Sequence, residues 1–463
     1  MNSTADVVIC GAGIAGISTA YHLAVTYGVK DVVLVDERPP LSLTSDKSTE
    51  CYRNWWPGPG DAMVRLMNRS IDLLECWARE CDNRFLLNRR GYAFFTADPQ
   101  RIPDFRRAAE EATALGAGPM RLHTGGPDDP HYAPVAPSGF ESQPTGCDLA
   151  LDPALILKHF PYINPNVVAM AHPRRCGWFS GQQLGMYLLE RARERGVRLL
   201  TGKVEGVDTA EGRVAGVRVS GDGVSTRCFV NAAGPYLRHV GLMLGLDLPV
   251  FCEFHGKIAF NDYLGVVPRE APLLIWSDPQ RLLWTDEERA LLVEDDASAW
   301  LLREFPSGVH VRPEGSPGSN ILLILWTYDT EPREPVWPPQ LDPDYPEVLL
   351  RGLATMIPGL RAYFGKAAKP IYDGGYYTKT RENRPLAGPA PAGAPGAEGA
   401  YVCGAVSGYG LMASPALGEL VAAHVTGDRL PEYAPAFSLT RYDDADYQRL
   451  LADTARWGAS GQL

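Results

Sequence analysis

The chain has 463 residues, 45% hydrophobic and 21% charged, values that are ordinary for a globular protein in a length too great for one compact core. A net charge of -11 with scattered basic residues excludes the electrostatic footprint of a nucleic-acid or anionic-membrane binder, and no apolar run reaches the length of a membrane span. The nine cysteines show no CxxC pair and no metal-ligand spacing, so they read as reduced thiols of a cytoplasmic protein and not as a disulfide framework or metal site.

Val7–Cys10 is a short apolar strand that runs through Gly-Ala-Gly-Ile-Ala-Gly into an apolar stretch at helical spacing, 17–24. A second strand is expected at 31–36. From 61 to 82 the residues Met63, Leu66, Met67, Leu73, Leu74 and Trp77 recur at helical intervals and predict an amphipathic helix, with a strand following at 91–95. Residues 116–153 are crowded with Gly, Pro, Asp and Ser and read as a surface loop or lid. A helix at 182–195, closed by Gly196, precedes strands at 197–200 and 214–219.

Between 250 and 358 the apolar runs are mostly strand-like, as at Leu273–Trp276 and 321–326, around a charged helical segment near 285–302. The last elements are a strand at 401–404 and a helix at 416–425, with Ser414 as its N-cap and Pro415 as its first residue. An Ala/Gly/Pro tract occupies 389–399. The expected fold is α/β: a Rossmann-type dinucleotide-binding domain interleaved with a sheet-rich α+β domain.

Gly11, Gly13 and Gly16 stand at GxGxxG spacing between a strand and a helix. The first permits a tight turn, the second lets backbone approach a pyrophosphate, and the third lets the helix pack closely. Ile14 and Ala15 open that helix, whose N-terminus faces the phosphates. Asp36 ends the next strand, where an acidic side chain, with Glu37 beside it, can bind a ribose hydroxyl. The motif does not by itself separate FAD from a nicotinamide cofactor.

Three later segments do. Asn231-Ala232-Ala233-Gly234-Pro235 resembles the NAAGPW element of D-amino-acid-oxidase-like flavoproteins, which include sarcosine oxidase, sarcosine and dimethylglycine dehydrogenases and glycine oxidase. TRENRPLAG at 380–388 resembles their TPDGxPIIG segment, and GAVSGYGLMASP at 404–415 resembles their GxSGHGxxxxP segment. The resemblance covers nearly the whole chain. It implies a discontinuous FAD-binding domain (1–75, 166–240 and 366–430), a substrate domain (76–165 and 241–365) and a C-terminal segment (431–463).

It further implies roles for particular residues. Ala233, Gly234, Gly404, Gly408, Tyr409, Gly410 and Met412 lie beside the flavin, Val204 at the adenine, and Ser45, Lys47, Ser48 and Thr49 on a loop around the pyrophosphate and flavin edge. Arg53 takes the place of an arginine that grips a substrate carboxylate, while Glu50 replaces the pattern's other arginine. Met412 stands where sarcosine oxidases carry a carboxylate-binding lysine, which argues against a simple N-methyl amino acid. Gly375 and Lys47 stand where relatives attach the flavin through cysteine or histidine, so FAD is expected to be non-covalent. His255, Lys257 and His310, on expected strands, are candidates to face the flavin, and Trp55, Trp56, Tyr376 and Tyr377 are candidates to wall a substrate pocket.

The resemblance implies hydride transfer from the C-N bond of an amine or amino acid to FAD, with oxygen or a carrier protein as electron acceptor. Two rivals keep the fold. A 2-hydroxy acid or glycerol-phosphate oxidoreductase would show two or more basic groups in the pocket, and a non-catalytic flavin-binding assembly factor would show no flavin bleaching by any small amine.

Overall fold

The structure, a computed structural model, describes residues 3–56, 58–316, 318–366, 369–394 and 398–452. Residues 395–397 of the Ala/Gly/Pro tract and 453–463 of the C-terminal segment lie outside the described residues. A six-stranded sheet runs in the order Arg198–Thr201, Val32–Asp36, Val7–Cys10, Phe229–Asn231, Ala400–Gly404, Leu386–Pro389. All neighbours pair in parallel except the last.

Strands covered on both sides read as unbroken apolar runs, and alternation decides which side each residue serves. Val7, Ile9, Val32 and Leu34 point to a core shared with helices Ile14–Tyr21, Ala62–Glu80, Gly181–Glu194 and Gly410–Thr426. Val8, Cys10, Val33 and Val35 point to the other side, where strands 204–225 form most of a four-stranded sheet.

A nine-stranded sheet runs Ile371–Lys379, Phe251–Asn261, Ile321–Leu325, His310–Glu314, Leu273–Trp276, Tyr92–Thr96, Ala169–Pro173, Cys147–Ala150, Met120–His123. It draws in Ala169–Pro173 and Ile371–Lys379, from stretches expected in the cofactor domain, so the chain crosses between the sheets at those points. Ile258, Phe260, Val311, Leu322 and Ile324 face a core that contains helix Tyr345–Met356. By the two-residue period of strands, His255, Lys257, His310 and Arg312 share the opposite face, toward residues 46–50.

The structure corrects three expectations. Residues 116–153 contain the paired strands Met120–His123 and Cys147–Ala150 at the sheet edge. Polar residues masked their alternation: the buried Asp148 accepts from Arg121 at 2.6 Å and lies 2.9 Å from His123 Nε2. The region 250–358 includes the helix Tyr345–Met356, whose first turn holds Pro346, where a missing N–H costs nothing. The helix expected at 416–425 starts at Gly410 and not at Ser414-Pro415. Ser414 does not cap it; its hydroxyl donates to Gly410 O at 2.6 Å inside the helix. Pro415 is tolerated within because neighbours use the groups around it: Ala416 N–H donates to Ser70 Oγ at 3.2 Å and Pro415 O lies 3.0 Å from His22 Nε2.

Among the described residues, no helix is long and apolar enough to cross a membrane. The nine cysteines are free thiols, and among the described residues no group of three or more His, Cys, Asp or Glu could hold a metal ion.

Near the C-terminus the chain folds back on residues 380–388. Arg441 donates to Glu382 Oε1 at 2.6 and 3.1 Å, and the hydroxyls of Tyr442 and Tyr447 donate to the same oxygen at 2.8 and 2.9 Å. Arg441 and Glu382 are both buried, so removing one strands the other's charge. Glu382→Ala should therefore destabilise the protein by about 3–5 kcal/mol, seen as a lower urea midpoint with unchanged slope. An unchanged midpoint would show that the latch contributes nothing.

Candidate functional site

A Cβ on residue 16 would lie 1.9 Å from Gly11 O, so the helix Ile14–Tyr21 can press on the preceding turn only with glycine there. Asp36 fixes the turn from the next strand. Its Oδ2 accepts Ala12 N–H at 2.7 Å and its Oδ1 accepts Arg38 N–H at 2.9 Å. Burial raises the Asp36 pKa above the ordinary carboxylate value, against the pull of those two donors. Each oxygen keeps a second lone pair for a hydroxyl donor. Glu37 next to it is exposed.

In front of the turn lies a pocket. Gly13, Ile14 and Ala15 line it on one side; Thr44, Ser45 and Ser48, then Ala232, Gly234 and Pro235, line it next. Tyr376, Tyr377, Gly404, Val406, Ser407, Gly408, Gly410 and Leu411 complete most of the wall.

Three serine hydroxyls of this wall have a hydrogen left to donate. Ser45 Oγ already accepts Ile14 N–H at 3.1 Å and Ser48 Oγ accepts Glu50 N–H at 2.9 Å, which leaves each hydroxyl hydrogen to donate. Ser407 Oγ is buried with no partner among the described residues. The helix Gly410–Thr426 brings the positive end of its dipole to the same wall. Ala405 and Ser407 hold φ of 54° and 46°, a strained region for residues with a side chain, of the kind that clusters at ligand sites. Residues of this kind fit an anionic, acceptor-rich dinucleotide.

Gly11, Gly16 and Asp36 stand behind that wall, and Ala233 lies within its 232–235 stretch without lining the pocket. Several other expected cofactor residues sit off it. Tyr409 turns its hydroxyl to Asn383 O at 2.6 Å and its ring edge-on to Trp56. Met412 is buried in the helical core, and Val204 packs in the core beneath the four-stranded sheet, paired with Val219. Thr49 offers its carbonyl to Arg312 Nε at 2.7 Å. Lys47 Nζ is held by Asp46 at 2.8 Å and Asp373 at 2.6 Å, and a Cβ on Gly375 would lie 3.0 Å from Lys47 Cβ.

Arg53 ends the strand Cys51–Arg53, which pairs with Cys176–Trp178. It is only 5% exposed, its guanidinium lies 4.5 Å over the Trp56 ring, and its Nε has no hydrogen-bond partner among the described residues. Burial lowers its pKa, and the groups that act on it most after that are Tyr92, Cys176, Cys51 and Tyr409, none of them a carboxylate.

His310 Nδ1 lies 2.8 Å from Gly308 O, so that nitrogen carries the proton and Nε2 is left with a lone pair. Burial, with Arg53 adding to it, holds the His310 pKa down to about 4 against the Gly308 bond, and the ring is neutral at neutral pH. His255 is fully engaged: Nε2 lies 3.1 Å from Glu253, Nδ1 lies 2.9 Å from Thr327 Oγ1, and the ring stacks on Tyr377 at 4.1 Å. It supports the pocket wall through Tyr377 and has no free nitrogen. Lys257 likewise spends its ammonium on the carbonyls of Asp46 and Ser48.

Arg312 was not among the residues expected at the site. The available signal was its place two residues after His310 on one strand, hence on the same sheet face. Thr44, whose Oγ1 donates to Tyr376 O at 2.9 Å, and Ser407 were also missed, although both adjoin the expected segments.

A family model described as FAD dependent oxidoreductase matches residues 6–424. Human mitochondrial sarcosine dehydrogenase is 25% identical over 277 residues, 57% of this chain and 26% of that protein. Human mitochondrial dimethylglycine dehydrogenase is 26% identical over 284 residues, 58% of this chain and 28% of that protein. The chain thus matches little more than a quarter of the length of these relatives. The solved L-proline dehydrogenase of P. horikoshii shares the fold, with a TM-score of 0.72 at 18% identity over 96% of this chain and 99% of that one.

Gly408 gives the geometry a direct check. A Cβ there would lie 2.5 Å from the Tyr377 ring, which is backed by His255 and can retreat only into the pocket. Gly408→Ala should therefore purify with clearly less flavin per protein than wild type, while far-UV circular dichroism stays the same. Equal flavin content would show that the Tyr377 wall does not border the cofactor.

Proposed function

The chain belongs to the FAD dependent oxidoreductase family, and from that premise we propose that it oxidises the C-N bond of an amine or amino acid whose anionic group is bound by Arg53. The observation that carries this reading is the state of Arg53: a buried guanidinium without a carboxylate partner among the described residues. An uncompensated buried charge costs several kcal/mol, and a ligand anion that accepts a bidentate pair of N–H bonds removes that cost. The relatives named for sarcosine and dimethylglycine support a carboxylate-bearing amine as substrate class.

When bound, FAD supplies the two-electron acceptor for hydride removed from the carbon beside the substrate nitrogen. The chain's own residues hold and orient. Backbone N–H groups at 13–15 and the Ser45 and Ser48 hydroxyls suit the pyrophosphate, and Asp36 suits a ribose hydroxyl. The N-terminus of helix Gly410–Thr426 favours the negative charge that develops on reduction. Arg53 fixes the substrate's anionic end, and Trp56 and Tyr92 exclude water around it. Neutral His310, with its Nε2 lone pair, can accept a hydrogen bond from a substrate N–H without adding a second cation. Water then hydrolyses the imine, and oxygen or a carrier protein takes up the electrons. Nine free thiols support a reducing, cytoplasmic location.

The cofactor is held without a covalent bond. Gly375 offers no side chain, and Lys47 is neutralised between Asp46 and Asp373. Acid precipitation should leave the yellow colour in the supernatant; colour retained in the pellet would reveal an attachment elsewhere.

Arg53→Ala should lower kcat/KM by about thirtyfold or more, the equivalent of at least about 2 kcal/mol for truncating a buried charge pair. Arg53→Lys, which keeps the charge and loses the planar fork, should fall between, with FAD content unchanged in both. Loss of FAD with normal turnover of the remaining holoenzyme would assign Arg53 to the cofactor instead.

A further inference from the structure

The loop 44–50 carries Thr44, Ser45 and Ser48 to the pocket, but its only regular structure is the short turn Thr44–Asp46, and it ends at Glu50 with φ of 60°. Two cations of the facing sheet hold it in shape. Lys257 Nζ donates to the carbonyls of Asp46 and Ser48, both at 3.0 Å. Arg312, fully buried, donates through Nε to Thr49 O at 2.7 Å and pairs through Nη2 with Glu50 at 3.2 Å. The other Glu50 oxygen accepts Gly181 N–H at 2.8 Å, which ties the loop end to the helix Gly181–Glu194.

Bonds from a cation to a carbonyl are about twice as strong as neutral ones, and a buried ammonium that donates to two carbonyls has a fixed position. With the carbonyls of 46, 48 and 49 turned to the sheet, the Ser45 and Ser48 hydroxyls are left on the pocket side. We propose that Lys257 and Arg312 are positioning residues for the cofactor: they set the 44–50 loop so that its hydroxyls meet FAD, and FAD affinity thereby depends on the sheet that carries His310. Glu50, where the resembling pattern has arginine, is together with Glu314 the counter-charge that lets Arg312 be buried. Lys257 acts through the loop and does not touch substrate, because its ammonium is committed to Asp46 O and Ser48 O. The inference rests on the pocket being the FAD site.

The test is FAD release from diluted holoenzyme, followed by flavin fluorescence. Lys257→Met should weaken the FAD Kd at least tenfold, and Lys257→Arg, which keeps two donors, should recover most of the loss. At saturating FAD the amine KM of Lys257→Met should move far less than the FAD Kd does. Equal FAD Kd for wild type and Lys257→Met overturns the proposal, as does a loss confined to the amine KM. If Lys257→Met fails to fold, Lys257→Gln, a shorter neutral amide without the charge, gives the same comparison. A wild-type protein that binds no FAD overturns the reading of the pocket, and the proposal with it, so the two failures are distinguishable.

Discussion

The segment 44–53 is wedged between two sheets, and every polar group along it must find a partner on one side or the other. Its carbonyls find Lys257 and Arg312 on the nine-stranded sheet. Its last three residues pair as a strand with Cys176–Trp178. Left to donate are the Ser45 and Ser48 hydroxyl hydrogens at the pocket and, among the described residues, the buried Nε of Arg53 beside Trp56. The chemistry assigned to the protein follows from these leftovers, since a fold that satisfied them internally would have nothing to offer an anionic cofactor or substrate.

The charges of the site are accordingly divided. Cations with structural duties, Lys47, Lys257 and Arg312, are matched by Asp373, Asp46, Glu50 and Glu314 or by carbonyls. Arg53 is not, and its field also helps to keep His310 neutral. A buried guanidinium without a carboxylate partner among the described residues, with a neutral histidine nearby, fits the proposed substrate with a single anionic group better than a phosphate ester, which needs more than one positive partner.

The glycine turn was legible because it is local. Gly11, Gly13 and Gly16 answer to a turn a few residues long, and Asp36 reaches it from the adjacent strand. The start of the helix Gly410–Thr426 was misread for the same reason: Ser-Pro is a strong local capping signal, but the hydroxyl of Ser414 bonds back to Gly410 and the helix continues through the proline. The clamp was illegible because Arg312 and Thr49 are 263 residues apart and the acceptor is a backbone carbonyl, which leaves no mark in sequence. Lys257 was recognised as facing the site, but its partners decide that it holds the loop and is not offered to the substrate. Val204 packs its side chain in the core beneath the four-stranded sheet, which leaves only its backbone for the contact with the adenine that the resemblance implies.

In the proposed reaction a bound flavin accepts electrons from a carboxylate-bearing amine held by Arg53. Anaerobic mixing of the purified yellow protein with matched compounds tests it most directly: amino acids and N-alkyl amino acids, the same amines without the carboxyl group, and 2-hydroxy acids. The account predicts that the flavin absorbance bleaches with a member of the first set and does not bleach, or does so far more slowly, with its decarboxylated counterpart. Bleaching by hydroxy acids alone, or equal bleaching with and without the carboxyl group, would contradict it.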